Sequence, residues 1–188
     1  TDVTGNCGYS LAPVSDRTRD LLRSHFPFPM QGLKITWRSF GEYLTELEQR
    51  RPSLNVAALV GHGTVRIAVM GLDNRSPTEP ELGEMKALVA QAMDDGAFGI
   101  SSGLAYPPGF FAETEELIEL CKLVARQGGF YATHIRGEAD GDFLEALREA
   151  VEIGGRAGTP VQISHIETHY PAWGKARDAL GVVDEARE

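Results

Sequence analysis

An α/β fold built on parallel strands is what this sequence predicts, and three observations carry the prediction. Short apolar runs recur at Leu54 to Val60, Ala97 to Ile100, Phe130 to His134 and Pro160 to His165, each followed by a helix-like segment. Strand, helix, strand in that order needs a crossover, which returns the chain to the same end of the sheet and makes the strands parallel. The runs are largely apolar throughout, as expected of strands covered on both faces. Their repeat of roughly thirty residues has the size of a βα unit. A complete (β/α)8 barrel takes about 250 residues, and this chain has 188. The expectation is therefore part of a TIM barrel, about strands 2 to 6 with their helices. Residues 1–188 would form the central part of that one domain, with no second domain.

The elements follow in order. Gly5-Asn6-Cys7-Gly8 reads as the turn after a strand. The segment Arg17 to Gln31, with Phe26-Pro27-Phe28-Pro29 inside it, reads as a loop or an irregular insertion. Ser39-Phe40-Gly41-Glu42 is a capping box for a helix running to about Arg50. Thr78-Glu79-Pro80-Glu81 is another, with Pro80 just inside its helix. That helix carries Leu82, Met85, Leu88, Val89 and Ala92 on one face. The strand at Ala97 to Ile100 leads into a Gly- and Pro-containing loop, Ser101 to Gly109. Thr114 opens a helix with core face Leu117, Leu120, Cys121 and Val124, ended by Gly128-Gly129. The Phe130 strand, a helix from Asp142 closed by Gly154-Gly155, the Pro160 strand and a helix from about Ala172 complete the chain.

Composition narrows the function classes. A formal charge of −9 opposes a nucleic-acid partner, which needs clustered Lys and Arg, and equally an anionic membrane surface. No apolar run approaches the roughly 18 residues of a membrane-crossing helix, and no leader pattern is visible. Only two cysteines occur, Cys7 and Cys121, in unrelated contexts, so a disulfide framework is not expected and a cytoplasmic setting is.

Two histidines, His134 and His165, end consecutive strand-like runs. At the C-terminal ends of neighbouring parallel strands they would project into one space, where barrel chemistry sits. Neutral imidazole suits zinc, so a metal or catalytic role stands level with simple backbone hydrogen bonding. Cys7 reads either as a small buried hydrophobe or as a third ligand that leaves one position open for water or substrate. Cys121 reads as core. His62 could face the site, but local hydrogen bonding is favoured; His25 reads as surface without a partner, and His169 as solvent-exposed loop. Tyr106 could contact a substrate carboxylate or carbonyl, or simply pack in its loop. Arg136 and Glu138 are either outer residues that orient a ligand or an ordinary surface ion pair.

Five motifs in order then resemble the N-acyl-D-amino-acid deacylases (D-aminoacylases) of the amidohydrolase superfamily. They are Gly5-Asn6-Cys7-Gly8, Val60-Gly61-His62-Gly63-Thr64-Val65-Arg66, Gly99 through Tyr106, Tyr131 through Glu138, and Val161-Gln162-Ile163-Ser164-His165. The resemblance implies a metal-dependent (β/α)8 barrel, with Cys7, His134 and His165 as zinc ligands and Tyr106 as a substrate contact. It implies hydrolysis of small N-acyl amino acids to a free D-amino acid. The family's His-x-His pair and its general-base aspartate have no counterpart in this chain, so no residue here takes the base role. Where the family carries a lysine for the substrate carboxylate, this chain has Glu167.

Three readings follow. The first is part of a zinc-dependent deacylase, inactive and weakly zinc-binding as an isolated chain. The second is another amidohydrolase, acting on cyclic amides or peptide-like bonds, kept open by Glu167. The third is a non-catalytic α/β scaffold whose histidines serve packing. Open sheet edges would favour self-association of the isolated chain.

Overall fold

Capping and apolar periodicity set the helices of the computed structural model, which describes residues 1–26, 30, 32–137 and 143–187. Both capping boxes form. Ser39 caps α2 (Phe40–Gln49) and Thr78 caps α4 (Glu79–Asp94), each reciprocated by a glutamate three residues on. The remaining helices are α1 (Arg19–His25), α3 (His62–Met70), α5 (Thr114–Arg126), α6 (Phe143–Ala157) and α7 (Ala176–Glu185).

The strands are all parallel. Val60–Gly61 (β3), Gly99–Gly103 (β4), Phe130–His134 (β5) and Val161–Ile163 (β6) form one sheet in sequence order. Asp2–Thr4 (β1) pairs with Val56–Ala58 (β2), which runs through Leu59 into β3. Leu59 N–H donates to the Thr4 carbonyl and Phe98 N–H to that of Ala58, so the same apolar run has β1 on one side and β4 on the other. Helices cover one face of this array. Val60, Ile100 and Tyr131 pack into a core with Met85, Val89, Leu117, Leu120, Cys121 and Val124. A second cluster joins Ile135, Phe143, Leu147 and Ala150 to Ala172 and Ala179.

Several boundaries differ from the sequence reading; β6, for one, ends at Ile163 and not at His165. Ser101 to Gly103 belong to β4 and not to a loop, because they pair with Ala132 to His134 of β5. The expected irregular insertion contains α1, whose Leu22 is buried; Pro27, Phe28, Pro29 and Gln31 lie outside the described residues. Helix α6 continues through Gly154-Gly155, and Gly158, at φ 72°, ends it instead. Gly154 serves close packing, since a Cβ there would collide with the Val161 side chain of β6. The last helix starts at Ala176, after a turn in which Ala172 N–H bonds the His169 carbonyl. The expected start of α6 at Asp142 lies outside the described residues.

Candidate metal centre

Strand parity and one backbone reversal build this site. In β5, Tyr131 and Thr133 are fully buried with Ser102 beneath the helices. The intervening positions Ala132 and His134 share the opposite face, in register with Ser101 and Gly103 of β4. His134 is therefore turned away from the helix layer, at the C-terminal end of its strand.

Parity alone would not place His165 there. Val161 and Ile163 of β6 pack toward the helices, and the strand ends at Ile163. His165 then adopts φ 36°, an unusual value for a residue with a side chain, and its ring meets that of His134 edge to face with centroids 4.5 Å apart. Cys7 reaches the same place from the turn after β1, also at positive φ, 55°. Its Sγ lies 3.7 Å from His165 Nε2. One donor atom from each of Cys7, His134 and His165 lies within 4.8 Å of the others. Tetrahedral zinc with one thiolate and imidazoles implies donor separations of roughly 3.3–3.6 Å. The set is one soft sulfur and two imidazoles, partly open to solvent, which is donor chemistry suited to a borderline divalent ion, and the Cys7–His165 separation is close to the tetrahedral value.

Aromatic rings wall one side. Tyr106 lies edge-on to His134 at 5.2 Å and stacks on Tyr9 at 5.5 Å. Burial, then the nearby Cys7 sulfur, pushes the Tyr9 hydroxyl up. Sequence reasoning did not single out Tyr9, because nothing at its position distinguishes a site ring from a core ring. His25, expected as unpartnered surface, instead bonds the Pro107 carbonyl through Nε2 at 2.7 Å and lies against Tyr9.

The other candidates are placed elsewhere. His62 opens α3, is fully buried, and bonds Glu116 Oε1 through Nε2 at 2.7 Å. Its partner is 54 residues away, so the favoured local bond is incorrect. Arg66, one helical turn on, bonds the other Glu116 oxygen at 2.5 Å and the Arg75 carbonyl at 2.9 Å. Glu116 was hidden because it sits on the apolar face of α5, where a carboxylate looks like an exception to the pattern. Arg136 bonds Glu149 and the carbonyls of Phe110 and Ala112, which ties β5 to α6 and the preceding loop. Glu138 lies outside the described residues. Glu167 is exposed and lies 3.4 Å from exposed His169. Cys121 is core, its thiol pushed well above the usual range by burial.

Known proteins resemble this chain along nearly its whole length. D-aminoacylase of Alcaligenes xylosoxydans xylosoxydans is 39% identical over 191 residues, covering 99% of this chain and 38% of that protein. N-acyl-D-aspartate deacylase from the same organism is 39% identical over 195 residues, with 99% and 37% covered. The chain is homologous to the N-acyl-D-amino-acid deacylases. No family model matches it. A crystal structure of D-aminoacylase, described as defining a novel subset of amidohydrolases, superposes with a TM-score of 0.86 at 38% identity over 98% of this chain. N-acyl-D-glutamate deacylase from Bordetella bronchiseptica, complexed with zinc and a phosphonate mimic of the tetrahedral intermediate, gives 0.83 at 36% identity. The chain spans about 38% of the length of these deacylases.

Proposed function

We propose that this chain is the metal-binding part of an N-acyl-D-amino-acid deacylase, with residues 1–188 lying in the centre of a (β/α)8 barrel domain. The observation that carries the reading is the convergence of Cys7, His134 and His165 at one end of a parallel sheet. Those three residues would hold zinc. The chemistry such an ion supplies is polarisation of an amide carbonyl and activation of a water. The chain's own residues hold the donors, wall the site with Tyr106 and Tyr9, and leave one side open to a small N-acyl amino acid. Tyr106, beside His134, is the proposed substrate contact.

Glu167 supports a second reading, hydrolysis of cyclic amides. A carboxylate at that position repels a substrate carboxylate instead of holding it. Both readings are tested with the protein containing this chain, zinc-loaded or chelator-treated, on N-acetyl-D-amino acids, their L-enantiomers and cyclic imides. Chelator-sensitive release of acetate from the D-series alone supports deacylation. Turnover confined to the imides supports the second reading, and equal rates with and without chelator would refute both.

The two cysteines, Cys7 and Cys121, lie in unrelated contexts that make no disulfide framework, which favours the cytoplasm; no helix among the described residues is long and apolar enough to cross a membrane. Strands β1 and β6 each pair on one side only among the described residues, which favours self-association of the isolated chain. A sizing profile at the monomer mass would oppose it.

A further inference from the structure

The Cys7 turn is held by three hydroxyl groups, those of Tyr106, Ser101 and Thr64. Tyr106 Oη donates to the Cys7 carbonyl at 2.8 Å. Ser101 Oγ, fully buried in β4, accepts from Gly8 N–H at 3.0 Å and donates to the Gly5 carbonyl, so one hydroxyl bridges both flanks of the turn. Thr64 Oγ1 accepts from Ser10 N–H and donates to the Ser10 carbonyl, both at 2.9 Å. Thr64 N–H also donates to the Gly8 carbonyl at 3.2 Å.

These bonds oppose a specific strain. Cys7 sits at φ 55°, where a residue with a Cβ is disfavoured, so the turn needs outside contacts to stay there. The chain is also laid directly over β4. A Cβ on Gly103 would collide with both Tyr106 Oη and the Cys7 carbonyl, so their hydrogen bond crosses the face of that glycine.

We infer that Tyr106 and Ser101 are positioning residues that fix the Cys7 backbone in its left-handed conformation and so aim its sulfur at His134 and His165. The inference rests on the reading of those three residues as a metal site. It also constrains the substrate contact. The phenol's single proton is committed to Cys7, so Tyr106 can offer a substrate only lone pairs, for an N–H or a water, and not a proton for a carboxylate.

The test uses metal-free protein carrying Tyr106→Phe, Ser101→Ala or Cys7→Ser. Zinc affinity is read by competition with a chromophoric chelator, and order in the turn by hydrogen exchange at the Gly8 amide. Loss of a group that orients a ligand costs about 10- to 100-fold in metal affinity. Tyr106→Phe is expected near the lower figure, with faster Gly8 exchange and an unchanged thermal midpoint. Ser101→Ala is expected to accelerate Gly8 exchange further. Wild-type Gly8 exchange in both variants would overturn the clamp, and so would undiminished zinc affinity in Tyr106→Phe while Cys7→Ser has lost it. Undiminished zinc affinity in Cys7→Ser would overturn the metal reading instead, and the Gly8 exchange rates would still decide the clamp.

Discussion

Two corners of this molecule place histidine at or just beyond the end of a strand and use it in opposite ways. At the β3–α3 corner, His62 is fully buried and committed to Glu116, which Arg66 also holds. At the ends of β5 and β6, His134 and His165 are less enclosed and turn toward each other and Cys7. The strand-end position is the same. What differs is the group each imidazole meets: a carboxylate already paired with arginine leaves a metal no role, whereas a thiol and a second imidazole converge on one point. A strand-end histidine is a ligand only where other donors share its space.

The comparison breaks first at Glu116. Removing its carboxylate by Glu116→Ala leaves the Arg66 charge buried without its counterion, at a cost of about 3–5 kcal/mol. Chemical denaturation should show that loss, with zinc affinity per folded molecule unchanged; an equally large loss of zinc affinity would merge the two corners. His134→Ala should do the reverse. It should lower zinc affinity by about 100-fold, or about 2.7 kcal/mol, and leave the metal-free stability within about 0.5 kcal/mol.

Acid sharpens the same contrast by a smaller amount. Burial pushes the Glu116 carboxyl up, but the hydrogen bond and charge of His62, then Arg66, outweigh it and hold the group below the usual range. The folded protein thus binds that proton less readily than the unfolded chain. The stability it contributes is complete above the ordinary glutamate pKa of about 4.3 and is lost as pH falls through the lowered value. Glu116→Gln should flatten that part of the acid denaturation curve, and an unaltered curve would remove Glu116 from the account. The smallest effect belongs to a helix end remote from both corners. Thr78→Ala removes the α4 cap, costs about 1 kcal/mol in thermal denaturation, and should leave zinc affinity unchanged.

Much of this was legible in the chain. Capping boxes at Ser39 and Thr78 and the apolar spacing of α5 are local signals, and local physics forms those elements. The parallel order followed from alternating runs. Cys7, His134 and His165 were legible as donor types, because sulfur and imidazole carry their chemistry in their identity. Their convergence was not, since it depends on positive φ at Cys7 and His165, a property of backbone packing that no side-chain pattern announces. The Glu116 network escaped for a related reason. Its members come from α3 and α5, and only tertiary packing brings residues 50 and 54 positions apart into one buried ion pair. Ser101 read as loop because a Ser-Ser-Gly sequence looks like a turn until its pairing partner in β5 is known.

Cobalt titration of the metal-free protein, followed in the near ultraviolet, tests the metal centre most directly. One equivalent of Co2+ should raise a thiolate-to-cobalt charge-transfer band, and Cys7→Ser should abolish it, since Cys121 is sealed in the core. A band of undiminished strength in Cys7→Ser, or none in the wild-type chain, would contradict the assignment of Cys7, His134 and His165 as a metal centre.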